Sequence, residues 1–508
     1  MKNYLTILLT FSFATALQAQ KPFLLKQANY KHYVDHFNTM EDENVKQAIP
    51  NDSAWSWMQQ NIPLFECPQK NFEEIFYYRW WTLRKHIEKT QQGFAFTEFL
   101  VPRTYADKYN LISSALGHHI YESRWLHDKK YMDDNLLIWF RGNDGKALKK
   151  LRFYSGWNED AIYNRYLVNG DKNFITDLLP DLEADYAGWE QEKKLSNGLY
   201  WQYDVRDAME ETISGGRKEK NPRPSINSYM FGNAWAMVFI ENAAGKPTVS
   251  GKYLKKADSI RLAVQNNLWN NDQQFFEVKK EQGDTLSNVK EEIGFLPWYF
   301  NMPDIKYNVA WKSLTDVKTF CAPYGITTAD RSHPLFRTHG CCKCEWDGAV
   351  WPFATSQTLT AMANFLNNYN QDYVSSKDYF NLLETLVKTQ YVNGKPYIGE
   401  YLDEKTGVWL KGEERSRYYN HSTFNDLIIT GLVGLRPRED NVVEVNPLLP
   451  NGKWDWFCLD NILYHNKIIT IVWDKTGTKY KKGKGLSVWA DGKKIASSTK
   501  LEKITGKI

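Results

Sequence analysis

From residue 71 onward the apolar positions recur with a helical period. Phe72, Ile75, Phe76, Trp80 and Leu83 fall at offsets that place them on one helix face. The same spacing returns at Ile226, Tyr229, Met230, Ala234 and Met237. It recurs at Leu254, Ala257, Ile260, Val264 and Leu268, and again at Tyr379, Leu382, Leu383, Leu386 and Val387. Further helices are expected near 111–126, 157–169, 174–192, 304–317, 347–367 and 421–433. In all, about ten to twelve helices emerge, separated by loops rich in Gly, Asn, Asp and Pro. No short repeat is visible, which disfavours a solenoid. After Gly434 the period breaks. GLRPREDNVVEVNPLLP, ILYHNKIITIVWD and LSVWADGKKIA read as short strands joined by Gly-bearing turns. The expected organisation is an irregular segment with short helices over 20–70, a helical domain over 71–434 and a small β-sandwich-like domain over 435–508. Many helices joined by long polar and aromatic loops suggest paired helices in a toroid whose loops line a cleft.

The first residues follow a different logic. Lys2 precedes an apolar stretch from Leu5 to Leu17, and Gln18, Ala19 and Gln20 follow. This order reads as a secretory signal peptide over 1–19, cleaved near Ala19. The run is short of the roughly 20 residues a membrane span needs, and no later stretch of that length lacks charges. A periplasmic or secreted protein with no membrane insertion is expected. Lysine and arginine number 64 against 60 acidic residues, a net charge of +4. That balance gives no footprint for nucleic acid or an anionic membrane. The aromatic content, 20 Trp, 30 Tyr and 26 Phe, fits either packing between many helices or rings lining a sugar-binding cleft. Of six cysteines, Cys341, Cys342 and Cys344 crowd into HGCCKCEWDG. Their spacing with His339 is poor for zinc, and a disulfide, for example to Cys321 or Cys67, or a free buried thiol is favoured over a metal in an oxidising compartment.

Three stretches combine carboxylates, rings and glycines outside the helical stripes. In LYWQYDVRDAMEETISGG, Asp204, Asp207, Glu210 and Glu211 lie among Tyr200, Trp201, Tyr203 and Arg206. A carboxyl beside rings loses solvation and stays protonated to higher pH, whereas a neighbouring Arg keeps one ionised. The bland alternative is an acidic loop capping a helix. In CEWDGAVWPFATSQTL, Trp346, Trp351 and Phe353 surround Asp347 and Gly348, either aiming rings and a carboxylate into a cleft or forming a helix N-terminus. In KPYIGEYLDEKTGVWLKGEERSRYYNHSTFND, Glu400 stands between Gly399 and Tyr401, where the local pattern requires no carboxylate. His421 reads more simply as part of a helix entrance capped by Ser422.

Taken together, these stretches resemble the six-hairpin glycosidases, the clan of trehalases, processing α-glucosidases and mannosylglycerate hydrolases. YDVRDAMEETISGG is similar to that clan's acid loop, and Trp346-Asp347-Gly348-Ala349-Val350-Trp351 to its W-x-G-P-x-W segment. Glu400-Tyr401-Leu402-Asp403-Glu404-Lys405-Thr406-Gly407 is similar to its E-Y-x-x-x-x-T-G base context. The similarity runs over roughly 70–435. It implies an (α/α)6 toroid and an inverting glycoside hydrolase, with Asp207 as general acid and Glu400 as general base. Asp204 is a rival acid and Glu210 a lesser one, because VRDAMEE departs from the clan's small residues. Trp201, Trp346 and Trp351 are then expected as sugar platforms. Arg206, Glu210, Asp347 and Tyr401 are expected to bind the substrate, an α-linked oligosaccharide or glycoside attacked from its end. No metal or organic cofactor is called for. Two other readings remain open at this stage. One is a polysaccharide lyase using Tyr419, Asn420 and His421, and the other is a non-catalytic glycan-binding protein.

Overall fold

The computed structural model describes residues 23–339 and 344–508. The expected signal peptide and the pairing of Cys341 and Cys342 therefore lie outside the described residues. The N-terminal part carries α1 (Lys31–Asn38) and α2 (Asn51–Asn61), followed by strand β1 (Leu64–Glu66). Then helices alternate between an outer and an inner layer. Outer α3 (Lys70–Lys85) precedes inner α4 (Leu116–Ser123), outer α5 (Lys130–Arg141) precedes inner α6 (Asn158–Asn169), and outer α7 (Lys172–Lys193) precedes inner α8 (Pro224–Ala243). Outer α9 (Pro247–Asn267) leads to inner α10 (Leu296–Tyr299), and a 3-10 stretch, Ile305–Ser313, to inner α11 (Pro352–Asn368). Outer α12 (Ser376–Thr389) is followed by the last inner segment, which includes a π-helical turn at Leu427–Leu432. This is an (α/α)6 toroid.

Burial differs sharply between neighbouring inner α8 and outer α9. In α8, 16 of 20 residues are buried, Ser225, Asn227, Ser228, Asn233 and Glu241 among them, so this helix packs on nearly every side. In α9 only seven of 21 are, spaced as one stripe, as expected of a helix facing solvent on its other side. The stripe begins at Tyr253. Leu254, expected on it, is 39% exposed, whereas Ala257, Ile260, Val264 and Leu268 are buried. Proline at the first turn opens α8, α9 and α11, where a missing N–H costs nothing. A capping box of Ser375 and Asp378 opens α12. The ring closes between α4 and the last segment. The Glu122 carboxylate accepts N–H bonds from Phe424, Asn425 and Asp426 at 3.1, 2.8 and 3.1 Å, and Arg124 pairs with Asp426 at 2.8 Å.

Three expectations about helices change. Residues 305–313 form 3-10 turns, the segment 347–351 is loop until Pro352, and the helix near 111–126 shortens to α4 behind a 3-10 turn at Ser113–Ala115. The C-terminal part holds β2 (Leu435–Arg436), β3 (Val442–Val445), β4 (Trp456–Tyr464), β5 (Lys467–Asp474), β6 (Gly485–Ala490), β7 (Lys493–Ser498) and β8 (Ile504–Lys507). They make an antiparallel sheet in the order β1-β4-β5-β6-β7 and a second sheet β2-β3-β8. No helix among the described residues is long and apolar enough to cross a membrane. Cys67, Cys321, Cys344 and Cys458 are free thiols, so of the two expected alternatives, disulfide or free thiol, these four show the free thiol.

Candidate active site

The loops leading into the inner helices meet at one mouth of the toroid. Asn420 donates its N–H to the Glu98 carbonyl (3.1 Å), Trp346 to that of Glu210 (3.4 Å) and Ser155 to that of Arg206 (2.9 Å). The Tyr401 hydroxyl accepts from the Cys344 N–H at 3.3 Å. Three carboxyls gather there, each close enough to feel another's charge: Glu98, Glu210 and Glu400.

Glu400 is buried, with 3% of its surface exposed, and burial raises its pKa. The Arg415 guanidinium, 3.1 Å away, acts in the other direction, as do Lys411 and Arg103. Glu210 is half-buried and so open to the mouth. Burial, together with the negative charges of Glu400 and Asp204, pushes its carboxyl up to about 7. Glu98 is buried and pushed up to about 8, chiefly by burial and further by Glu400 and Glu210. It accepts a hydrogen bond from the Tyr419 hydroxyl and another from Ser114 Oγ at 3.1 Å. The backbone around these groups is strained. Ala208 (φ 59°), Glu211 (φ 66°), Cys344 (φ 64°) and Tyr418 (φ 62°) all sit in the left-handed region that side chains disfavour.

Asp207 meets different surroundings. Its side chain is wholly buried against Arg223 Nε at 2.8 Å and accepts a further bond from Ser225 Oγ. Asp204 is also buried and accepts from the Val205 N–H at 2.5 Å. The same loop is clamped by Glu291, which accepts from the Ser214 N–H at 3.0 Å and from the Ser214 hydroxyl.

The rings divide similarly. Trp346 stacks on Trp351 (4.6 Å, 23°) and Trp351 on Tyr401 (4.5 Å, 12°), a buried ladder beside His421. The Nε1 atoms of Trp346 and Trp351, His421 Nδ1 and Asp347 Oδ1 are buried without a hydrogen-bond partner among the described residues. A buried donor left unpaired costs free energy, and a ligand's hydroxyls would satisfy such atoms. Asp347 Oδ2 accepts from the His339 N–H at 3.0 Å. Gly348, at φ 146°, lies against the Phe336 ring where a Cβ would collide. Trp201 is half-buried beneath the Lys193 ammonium, 3.8 Å from its ring, and beside Tyr203 at 5.2 Å. It pairs with Pro222 in a short antiparallel hairpin, Trp201–Gln202 with Asn221–Pro222. Arg206 lies flat over Phe153 at 3.4 Å.

Glu98, Ser114, Arg415 and Tyr154 join the site without having been singled out as site residues in the sequence. A signal existed for Glu98, a lone acid in the apolar run FAFTEFL. Tyr419, which with His421 is one of the two bases open to a lyase, carries a phenol raised well above its ordinary range by burial and by Glu98. It therefore remains protonated and suits a hydrogen-bond donor rather than a base.

Comparison with known proteins is consistent with this architecture. Residues 108–422 match the family described as mannosylglycerate hydrolase MGH1-like glycoside hydrolase domain. Residues 435–496 match the C-terminal domain of glycosyl hydrolase family 65. A solved structure described as a sialidase is 57% identical over 96% of this chain, with a TM-score of 0.94, and this chain spans 45% of it. The GH63 mannosylglycerate hydrolase of Thermus thermophilus, in complex with glucose, aligns over 69% of this chain and 98% of its own at 12% identity and a TM-score of 0.52, a likeness of fold. An uncharacterized protein of Borreliella burgdorferi is 24% identical over 183 residues, which are 35% of this chain and 37% of that protein. The chain thus spans less than half the length of the sialidase chain and of the Borreliella protein.

Proposed function

Because the chain belongs to the mannosylglycerate hydrolase MGH1-like glycoside hydrolase family, and is accordingly a glycosidase, we propose that it works by inversion with Glu210 as general acid and Glu400 as general base. The observation that carries this reading is the gathering of Glu210 and Glu400 at one mouth, with Glu210 raised to about 7 by burial and by its negative neighbours and with Arg415 3.1 Å from Glu400. Glu210 keeps its proton near neutral pH and donates it to the glycosidic oxygen as the bond to the anomeric carbon breaks. Glu400, where Arg415 opposes the rise that burial imposes, takes a proton from a water that attacks the anomeric carbon from the opposite face. The sequence resemblance points to Asp207 as the acid. Its Oδ2, held by both Arg223 Nε and Ser225 Oγ, supports a positioning role instead, fixing the loop from which Glu210 projects.

Trp346, Trp351, Asp347 and His421 are proposed to hold the glycone, since their unpaired polar atoms match a sugar's hydroxyls. Burial of Glu400 beneath long loops favours a pocket, and hence exo action on an α-linked oligosaccharide or glycoside. The name sialidase describes a chain more than twice as long, so it gives no sugar to this one. The basic and apolar start of the sequence supports a periplasmic or secreted location. The test is the configuration of the first-formed product, followed by proton NMR on aryl glycosides. Inversion is expected, and a retained anomer would overturn the assignment of Glu400 as base.

A further inference from the structure

Further along the inner helices lies a second concavity of about 530 Å3, between α6, α8 and residues 299–304. None of Glu98, Glu210 or Glu400 lines it. Its α8 residues begin at Phe231, roughly 9 Å along the helix from Ser225, the partner of Asp207. Between the two ends, the rings of His118, Trp157, Tyr229 and Phe353 pack against one another at 4.6–5.0 Å and fill the axis.

Phe231, Trp235 and Phe239 recur every fourth residue and so share one face of α8. Trp235 lies parallel to Phe231 (6.3 Å, 6°) and edge-on to Phe239 (5.7 Å), and Phe239 stacks on Tyr163 of α6 (5.1 Å, 10°). The Trp235 ring is 42% exposed on a helix that is otherwise almost wholly buried. Inner-layer packing does not need it, and it faces the concavity. Polar groups share the lining with Tyr299, Phe300 and Met302. Arg261 pairs with Asp304 at 2.9 Å, and Arg436 donates to Asn364 at 2.7 Å.

We propose that this concavity is a second saccharide-binding site, in which a pyranose lays its C–H face on Trp235 and directs hydroxyls to Asp304, Arg261 and Asn364. Its volume falls in the range of small-ligand sites, about 300–1,000 Å3, with rings and a few polar groups in the lining. A docked protein would need roughly 800 Å2 of surface on each side, more than so narrow a recess offers. The axial plug keeps a sugar bound here away from Glu210 and Glu400. The site therefore retains glycan at the enzyme instead of cleaving it. It rests on the glycosidase class of the chain and not on the choice of acid or base.

The test is saturation-transfer NMR with methyl pyranosides of gluco, manno, galacto and rhamno configuration, using the full chain carrying Glu400→Gln. Ring protons of at least one pyranoside should receive saturation. That transfer should drop several-fold when Trp235→Ala or Arg261→Ala is added. Trp235→Ala alone should keep parental turnover of an aryl glycoside. Equal transfer with and without Trp235, or no transfer to any pyranoside, would overturn the site. So would a change of sedimentation in Trp235→Ala, which would make the face a contact between copies. Turnover persisting in Glu400→Gln would count against the catalytic assignment and leave the Trp235 comparison readable.

Discussion

Asp207 and Glu210 share one loop and one chemistry, yet Arg223 and Ser225 enclose the first while the second opens on the mouth. Asp207→Asn leaves the buried Arg223 charge without its counter-ion. Removing one partner of such a pair costs on the order of 3 kcal/mol or more. A lowered Tm by calorimetry is therefore expected, with turnover per folded molecule kept within about tenfold. Glu98 supplies a pH prediction. Its pKa rises from the ordinary carboxyl value to about 8, so the folded state holds a proton that the unfolded chain has released. That contribution is complete below the unfolded pKa and is lost as pH rises through about 8. Glu98→Gln should flatten the fall of Tm between about pH 5 and pH 8, and parallel melting curves for the two proteins would contradict it. The sequence isolated Glu400 as an acid that no local pattern needs, whereas Glu98 passed unnoticed in an apolar run. It could not show that Arg223, sixteen positions on, closes over Asp207, because that pairing exists only after the loop folds.

At the scale of elements, periodicity found most helices because an outer helix must bury one stripe, as α9 and α12 do. The hairpin turns at His465-Asn466 and Asp491-Gly492, inside segments read only as strands, take residues that tolerate positive φ. Inner elements were harder. The run 305–313 has the composition of a helix but folds as 3-10 turns. The stripe over 421–433 conceals a π-turn in which Gly431 meets the Tyr379 ring, leaving no room for a Cβ. Closure of the ring depends on Glu122, which takes the first N–H groups of the last inner segment. Glu122→Gln can accept fewer of these bonds and loses the charge. A destabilisation of about 1–3 kcal/mol is expected in urea unfolding, and an unchanged midpoint would remove Glu122 from the closure.

Across the whole molecule, the chain's two ends are tied together. β1 enters the C-terminal sheet beside β4, pairing Leu64 with Asp460. Asp460 sits at an irregularity in the β4–β5 ladder and accepts N–H bonds from Leu24 and Leu25 at 2.6 and 2.7 Å. An irregularity of this kind redirects a side chain out of the pairing pattern. Asp460→Ala should speed hydrogen exchange at the Leu24 and Leu25 amides by at least about tenfold, since each lost bond is worth roughly 1–2 kcal/mol, while amides in α8 keep their protection. The toroid and its sheet thus form the frame, and chemistry is assigned to one mouth of it. The most direct test of that assignment is the leaving-group dependence of Glu210→Gln. If Glu210 is the acid, the variant should lose orders of magnitude on an unactivated glycoside yet approach parental rates on a dinitrophenyl glycoside, whose leaving group needs no proton. Equal losses on both substrates, or this selective rescue appearing in Asp207→Asn instead, would contradict it.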